Sequence, residues 1–168
     1  MYNMIDVIVF ATKAHEGQVR KYTGVPYITH PISVGFIIAS VRWFTNDQDV
    51  IAAGILHDVL EDTDRTVEDI FELCNQRVTD FVEDVTDISK LSDGNRKYRK
   101  KIEIEHLAVA PPESKTIKLA DILDNAPGII KYDPEFAKVW IAEKKELLQH
   151  LIEGNPILYM RLEEILDV

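Results

Sequence analysis

The chain has 168 residues, 46% of them hydrophobic and 29% charged, with a formal net charge of −10. That composition reads as one ordinary globular domain, long enough to bury a core without disulfides or a structural metal. The acidic balance argues against a nucleic-acid partner, which needs a basic face for phosphates; the single cysteine, Cys74, leaves no intrachain disulfide or cysteine-based zinc site; and no run approaches the roughly 18 apolar residues of a membrane helix.

Helical periodicity dominates the chain. Met4, Ile5, Ile8 and Ala11 predict a first helix ending near Gly17, followed by a loop from Gln18 to His30 punctuated by Gly24 and Pro26. Pro31 suits the first turn of a second helix running to about Trp43. Asn46 or Asp47 is the expected cap of a third, Gln48 to about Leu60, with Ile51, Ile55 and Val59 on one face. Thr66 caps a short helix to Leu73, Gln76 to Val85 forms another, and Ile88 to Asn95 reads as a loop. Arg96 to Leu107 is helical and strongly basic. Pro112 to Asn125 is apolar around much of its circumference and is expected to be central, with Pro127 and Gly128 disturbing its end. Asp133-Pro134 opens an amphipathic helix to about Ile152, and Ile157 to Leu166 forms the last. No stretch holds the period-2 alternation of a strand, and there is no repeat or linker. Residues 1–168 are therefore expected to be a single all-α domain of about eight to ten helices. The N-terminus lacks the basic start and cleavage site of a signal peptide, so a cytoplasmic protein is expected.

Eight of the 19 basic residues fall between Lys90 and Lys118, a run whose bland reading is a solvated helix face. The segment that carries chemistry is His57-Asp58-Val59-Leu60-Glu61-Asp62, one histidine and three carboxylates within six residues, flanked by Ile55 and Leu56. Apolar flanks imply a packed helix end, and buried charge is costly unless it is paired or bound to metal. Glu61 and Asp62 follow at helical spacing and can share a side with His57 and Asp58. Two readings stand: a metal or acid–base site, or a core histidine with Asp58 as its partner. Further candidate ligands are His30, ahead of a proline in a Tyr- and Gly-rich loop, and Asp121, acidic within the apolar central helix. Two imidazoles and two carboxylates suit Mn²⁺ or Fe²⁺ and accept Zn²⁺ or Co²⁺. His15, His106 and His150 sit among Glu, Lys and Gln and are expected at the surface.

The order His30, His57-Asp58, Asp121 resembles the H…HD…D signature of the HD superfamily. The blocks Arg20-Lys21, Gly24 to Pro31, Leu56 to Thr63 and Lys118 to Asn125 resemble, more narrowly, the hydrolase domain of RelA/SpoT proteins and the stand-alone small alarmone hydrolases. The resemblance runs in family order from about Phe10 to Asn125. It implies a compact HD-type helical domain holding one divalent metal, Mn²⁺ first, through His30, His57, Asp58 and Asp121. Glu61 and Asp62 would be the catalytic acidic pair that orients or activates the attacking water. Arg20, Lys21, Tyr27, Arg96 and Asn125 would contact substrate. The implied reaction is removal of the 3′-diphosphate from ppGpp or pppGpp, giving GDP or GTP and pyrophosphate.

The chain departs from that family at Ile122 and Asp124, where relatives carry a basic residue and then an aromatic residue or histidine. Lys131, Lys138 and Lys144 are the candidates for replacing the missing charge. The substrate alternatives are therefore another nucleotide for the same metal site (a nucleoside monophosphate, a nucleoside triphosphate or NADPH). An alternative of another class is a catalytically silent nucleotide-sensing module. The expected partner is a small phosphorylated nucleotide, with neither nucleic acid nor membrane, and no synthetase domain is expected beyond the hydrolase. Trp140, Leu147, Leu148 and Leu151 either close the core or form a homo-oligomer face.

Overall fold

The computed structural model describes residues 2–41 and 47–167. They are all-helical, with ten α-helices, one 3-10 turn at Leu91–Asp93 and a lone antiparallel bridge between Val19 and Pro26. The expected end of the second helix at Trp43 and the expected cap Asn46 lie outside the described residues. The chain forms two compact units, one up to Thr86 and one from Asp87 onward.

The first unit contains α1 (Met4–Ala14), α2 (Thr29–Ala39), α3 (Gln48–Leu56), α4 (Val59–Asp62), α5 (Val67–Leu73) and α6 (Gln76–Val85). Side-chain caps set their starts: Asn3 accepts from the Ile5 amide, Asp47 from Asp49 and Asn75 from Val78, while Thr66 and Asp69 form a reciprocal capping box. The centre of the unit is α3, packed on α1, α2 and α6. Two glycines allow the closest of these approaches. A Cβ at Gly54 would stand 2.5 Å from Ile38 Cδ1, and one at Gly35 would stand 2.7 Å from Ile55 Cγ1.

Two features of this unit depart from the periodicity. The predicted third helix does not run through to Leu60; it stops at Leu56, turns through His57 and Asp58, and restarts as α4. The stripe on α1 is also displaced. Ile5 is 65% exposed, and the buried seam is Val7, Ala11 and His15, three positions at i, i+4 and i+8.

The second unit contains α7 (Arg96–Ala108), α8 (Pro112–Tyr132), α9 (Pro134–Leu148) and α10 (Pro156–Leu166). As expected, α8 is central: Ile117, Leu119 and Ala120 are fully buried, and both α9 and α10 pack on it. It runs on through Pro127, contrary to the predicted break near Asn125. Pro127 is exposed, so its missing N–H and its ring fall on the solvent side while Ala126 stays in the core. The next helix, α9, ends four residues before its predicted limit of Ile152. A tight turn instead brings Leu151 into the core, and Gly154 there leaves no room for a Cβ beside Leu119. Trp140, Leu147, Leu148 and Leu151 are all buried, so they close this core. No described helix is long and apolar enough to cross a membrane.

The basic run is not simply a solvated face. Lys115 is only 2% exposed, donates to the Ala108 carbonyl and pairs with Glu153. Lys100 joins Glu103 and Asp87, and Ser89 Oγ donates to Glu103 Oε1 at 2.8 Å.

Candidate metal centre

The loop between α1 and α2 is folded back on itself. Arg20 N–H donates to the Val25 carbonyl at 2.9 Å, Gly24 N–H to that of Arg20 at 2.9 Å, and Tyr27 N–H to that of Gln18 at 2.9 Å. The reversal needs a left-handed residue, and Gly24 supplies it at φ 70°. This places Arg20 at the neck of the turn and Lys21 within it, and delivers Tyr27 and His30 to the start of α2.

His30 enters the interior from the first turn of α2, and His57 enters it from the end of α3; both are buried. The close approach of those two helices at Gly35 and Gly54 sets the two rings edge to face, 5.1 Å between centroids. Asp58 follows in the turn that ends α3, so its carboxylate reaches both rings: Oδ2 lies 3.0 Å from His57 Nε2 and 3.5 Å from His30 Nε2. One ligand atom from each of the three residues falls within 4.8 Å of the others.

The donor chemistry fits a divalent cation. His57 Nδ1 is 2.9 Å from the Gly54 carbonyl, which only accepts, so Nδ1 carries the proton and Nε2 presents its lone pair. The Tyr27 hydroxyl donates to Asp58 Oδ2 at 2.6 Å, fixing the orientation of the carboxylate. A cluster of two buried imidazoles and a carboxylate, with one imidazole tautomer set by a backbone carbonyl, can hold such a metal.

Glu61 and Asp62 follow in the single turn of α4. Asp62 N–H donates to the Asp58 carbonyl at 2.9 Å. Desolvation raises the Asp62 pKa, and the Asp58 charge adds to it; the Tyr27 hydroxyl, His15 and His57 oppose the shift. His15, expected at the surface, is a correction: it is 3% exposed, with its ring 4.9 Å from that of Tyr27. The signal was its place on the Val7–Ala11 seam. His106 is half-buried and His150 is exposed.

Asp121, Asn125 and Arg96 belong to the second unit. Asp121 is buried on α8, its Oδ2 3.1 Å from Lys118 Nζ and its Oδ1 accepting from Asn125 Nδ2 at 2.7 Å. Lys144 shares this environment. Its burial and the neighbouring Lys118 charge lower its pKa to about 8, against the pull of Asp121. Of the other two lysines considered, Lys138 is exposed and paired with Glu135, and Lys131 lies over Tyr132. Arg96 makes a two-pronged pair with Glu143, at 2.6 and 2.8 Å, and stands over the Phe136 ring. Between α7 and α9 lies an open groove of about 890 Å³, lined by Arg96, Lys97, Tyr98, Lys100, Lys101 and Lys138 among others.

Residues 8–148 match the model of the HD domain family. The chain is 34% identical over 167 residues to the Drosophila melanogaster protein named guanosine-3′,5′-bis(diphosphate) 3′-pyrophosphohydrolase MESH1, covering 96% of this chain and 91% of that one. It is 40% identical over 142 residues to the Aquifex aeolicus guanosine-3′,5′-bis(diphosphate) 3′-pyrophosphohydrolase, covering 82% of this chain but 19% of that longer protein. Among solved structures, one described as a metazoan orthologue of SpoT that hydrolyses ppGpp superposes with a TM-score of 0.86 at 30% identity, covering 99% of this chain and 97% of the other. The chain belongs to the HD domain family, and within it to the family of the MESH1 guanosine-3′,5′-bis(diphosphate) 3′-pyrophosphohydrolases.

Proposed function

We propose that the chain is a metal-dependent phosphohydrolase that removes the 3′-diphosphate from ppGpp and pppGpp, releasing pyrophosphate and leaving GDP or GTP. The observation that carries this reading is the His30, His57 and Asp58 cluster, in a chain alike over nearly its whole length to a ppGpp hydrolase. His30, His57 and Asp58 would hold the metal, with Asp121 as the fourth ligand by the family's H…HD…D order. Mn²⁺ is the proposed ion, since hard carboxylates and neutral imidazoles in equal number suit it. When bound, such an ion would supply Lewis acidity, lowering the pKa of a water toward about 7 and drawing charge from a phosphoryl oxygen.

The chain's own residues do the rest. In the acidic pair Glu61 and Asp62, one carboxylate accepts the proton that a water loses on attacking the phosphorus of the 3′-diphosphate; the bond from that phosphorus to the ribose 3′ oxygen breaks, and the proton passes to that oxygen as it leaves. Tyr27 holds the Asp58 carboxylate in one orientation. Arg20, Lys21 and Arg96 offset the diphosphate charge, and Asn125 is the ribose-side contact. The groove beside Arg96 has the size for a nucleotide and carries basic side chains along α7. The proposed setting is the cytoplasm, with a small nucleotide and no nucleic acid as partner.

A turnover assay tests this. The purified protein with Mn²⁺ is given ppGpp, pppGpp, dAMP and NADPH, and products are separated by chromatography. GDP and pyrophosphate from ppGpp, abolished by EDTA, are expected. Turnover of another nucleotide alone would keep the metal site and replace the substrate, with Ile122 and Asp124 as the first residues to examine. Inertness toward all of them would favour a nucleotide-sensing module.

A further inference from the structure

His15 and Gln18 are outside the reaction as described, yet they are joined to it by a directed chain of hydrogen bonds. Gln18 Nε2 donates to the backbone carbonyl of Asp62 at 2.7 Å. A carbonyl only accepts, so the orientation of the Gln18 amide is settled and its Oε1 faces His15 Nδ1 at 2.8 Å. Oε1 also only accepts, so His15 Nδ1 carries a proton. In the neutral ring Nε2 is then a lone pair, buried and without a hydrogen-bond donor among the described residues. The same ring lies 4.9 Å from that of Tyr27, whose hydroxyl holds Asp58. A histidine serving only to fill the end of the Val7–Ala11 seam would be replaced without loss by an apolar residue, since an unsatisfied buried acceptor is costly.

We infer that His15 and Gln18 are positioning residues for the hydrolysis: they clamp the peptide that carries Asp62 and the ring that carries the Tyr27 hydroxyl. The inference rests on the roles given above to Asp58 and Asp62. One segment, the C-cap of α1 and the turn after it, thereby positions both Asp62 and a ligand carboxylate, although it supplies neither.

The test compares Gln18→Leu, His15→Phe and His15→Asn. Gln18 is only half-buried, so its replacement leaves the core intact. Phenylalanine keeps the ring without its nitrogens, and asparagine keeps an N–H donor near the place of Nδ1. With ppGpp and Mn²⁺, Gln18→Leu and His15→Phe are expected to lower kcat by about 10- to 100-fold while KM changes by less than about twofold. His15→Asn is expected to recover most of that loss. A second readout needs no substrate. In the diamagnetic Zn²⁺ form, the amide resonance of Thr63, in the peptide whose carbonyl Gln18 holds, shifts in Gln18→Leu and His15→Phe and returns toward wild type in His15→Asn.

Wild-type kcat in Gln18→Leu, equal damage in the two His15 variants, or an unmoved Thr63 resonance would overturn the inference. If the wild-type protein itself leaves ppGpp intact, the substrate reading fails while the Thr63 comparison still decides the clamp.

Discussion

The Tyr27 hydroxyl lies 2.6 Å from Asp58 Oδ2, the same oxygen that faces both His57 Nε2 and His30 Nε2. A phenol in that place governs how the carboxylate is presented to a cation. Tyr27→Phe keeps the ring against His15 and removes only the hydroxyl. It is expected to weaken Mn²⁺ binding by about 10- to 100-fold, the usual cost of losing an outer-shell partner. Calorimetric titration of metal-free protein measures this directly, and unchanged affinity would place Tyr27 on the substrate side alone.

Asp58 and Glu61 separate metal binding from proton transfer. Asp58→Ala is expected to lose Mn²⁺ and turnover together. Glu61→Gln is expected to retain Mn²⁺ and lose about 10²- to 10⁴-fold in kcat, the range for a removed acid–base group. Metal content by atomic absorption beside steady-state rates distinguishes them. Full activity in Glu61→Gln would assign the proton to Asp62.

Arg20 closes the turn of the folded loop, its N–H on the Val25 carbonyl and its carbonyl accepting from the Gly24 N–H. Arg20→Ala is expected to raise KM for ppGpp by about tenfold with kcat within about twofold, as for a contact made equally in ground and transition states. A fall in kcat at constant KM would instead place Arg20 on the charge that develops during reaction.

Gly54 touches stability and the site at once. A methyl group there meets Ile38 Cδ1 at 2.5 Å, inside the contact that lets α2 approach α3. Gly54→Ala is expected to cost about 1–3 kcal/mol by overpacking. Chemical denaturation gives that number. Because the same contact sets His30 beside His57, Mn²⁺ affinity is expected to fall as well.

Asp49 provides a pH signature away from the metal centre. Its burial would raise its pKa, but hydrogen bonds from Tyr2, Asn75 and Arg77 outweigh this and hold it below the ordinary 3.8. A carboxylate depressed in the folded state contributes stability that is complete above its unfolded pKa and is lost as pH falls through the folded one. Wild-type protein is therefore expected to exceed Asp49→Asn in urea midpoint at pH 6. The gap should narrow as pH drops below about 3.9. A gap independent of pH would mean that the hydrogen bonds, rather than the charge, matter.

Much of this molecule is legible residue by residue. Helix starts at Asp47, Thr66, Asn75 and Asn155 follow from short polar side chains that satisfy nearby amides, a local interaction that needs no knowledge of the rest of the fold. The apolar girth of α8 marked it as central for an equally local reason. The pairing of His57 with Asp58 inside an apolar run, and the ordered blocks around His30 and Asp121, pointed to the family because their chemistry is written in neighbouring residues.

Other features depended on distant partners. Periodicity carried the third helix straight through His57 and Asp58, whereas the chain breaks there and restarts as α4. A histidine between Ala14 and Glu16 looked like a surface residue until Tyr27 and Gln18 were seen packed around it. By itself, then, the sequence determined an all-helical chain with a histidine–aspartate pair fit to hold a metal, since caps, periodicity and adjacent side chains act over a few residues. Tertiary structure alone decided which hydroxyl holds Asp58, and that His15 is buried against the Tyr27 ring. Those contacts join residues far apart in the chain, brought together where the loop after α1 folds back and α2 packs on α3.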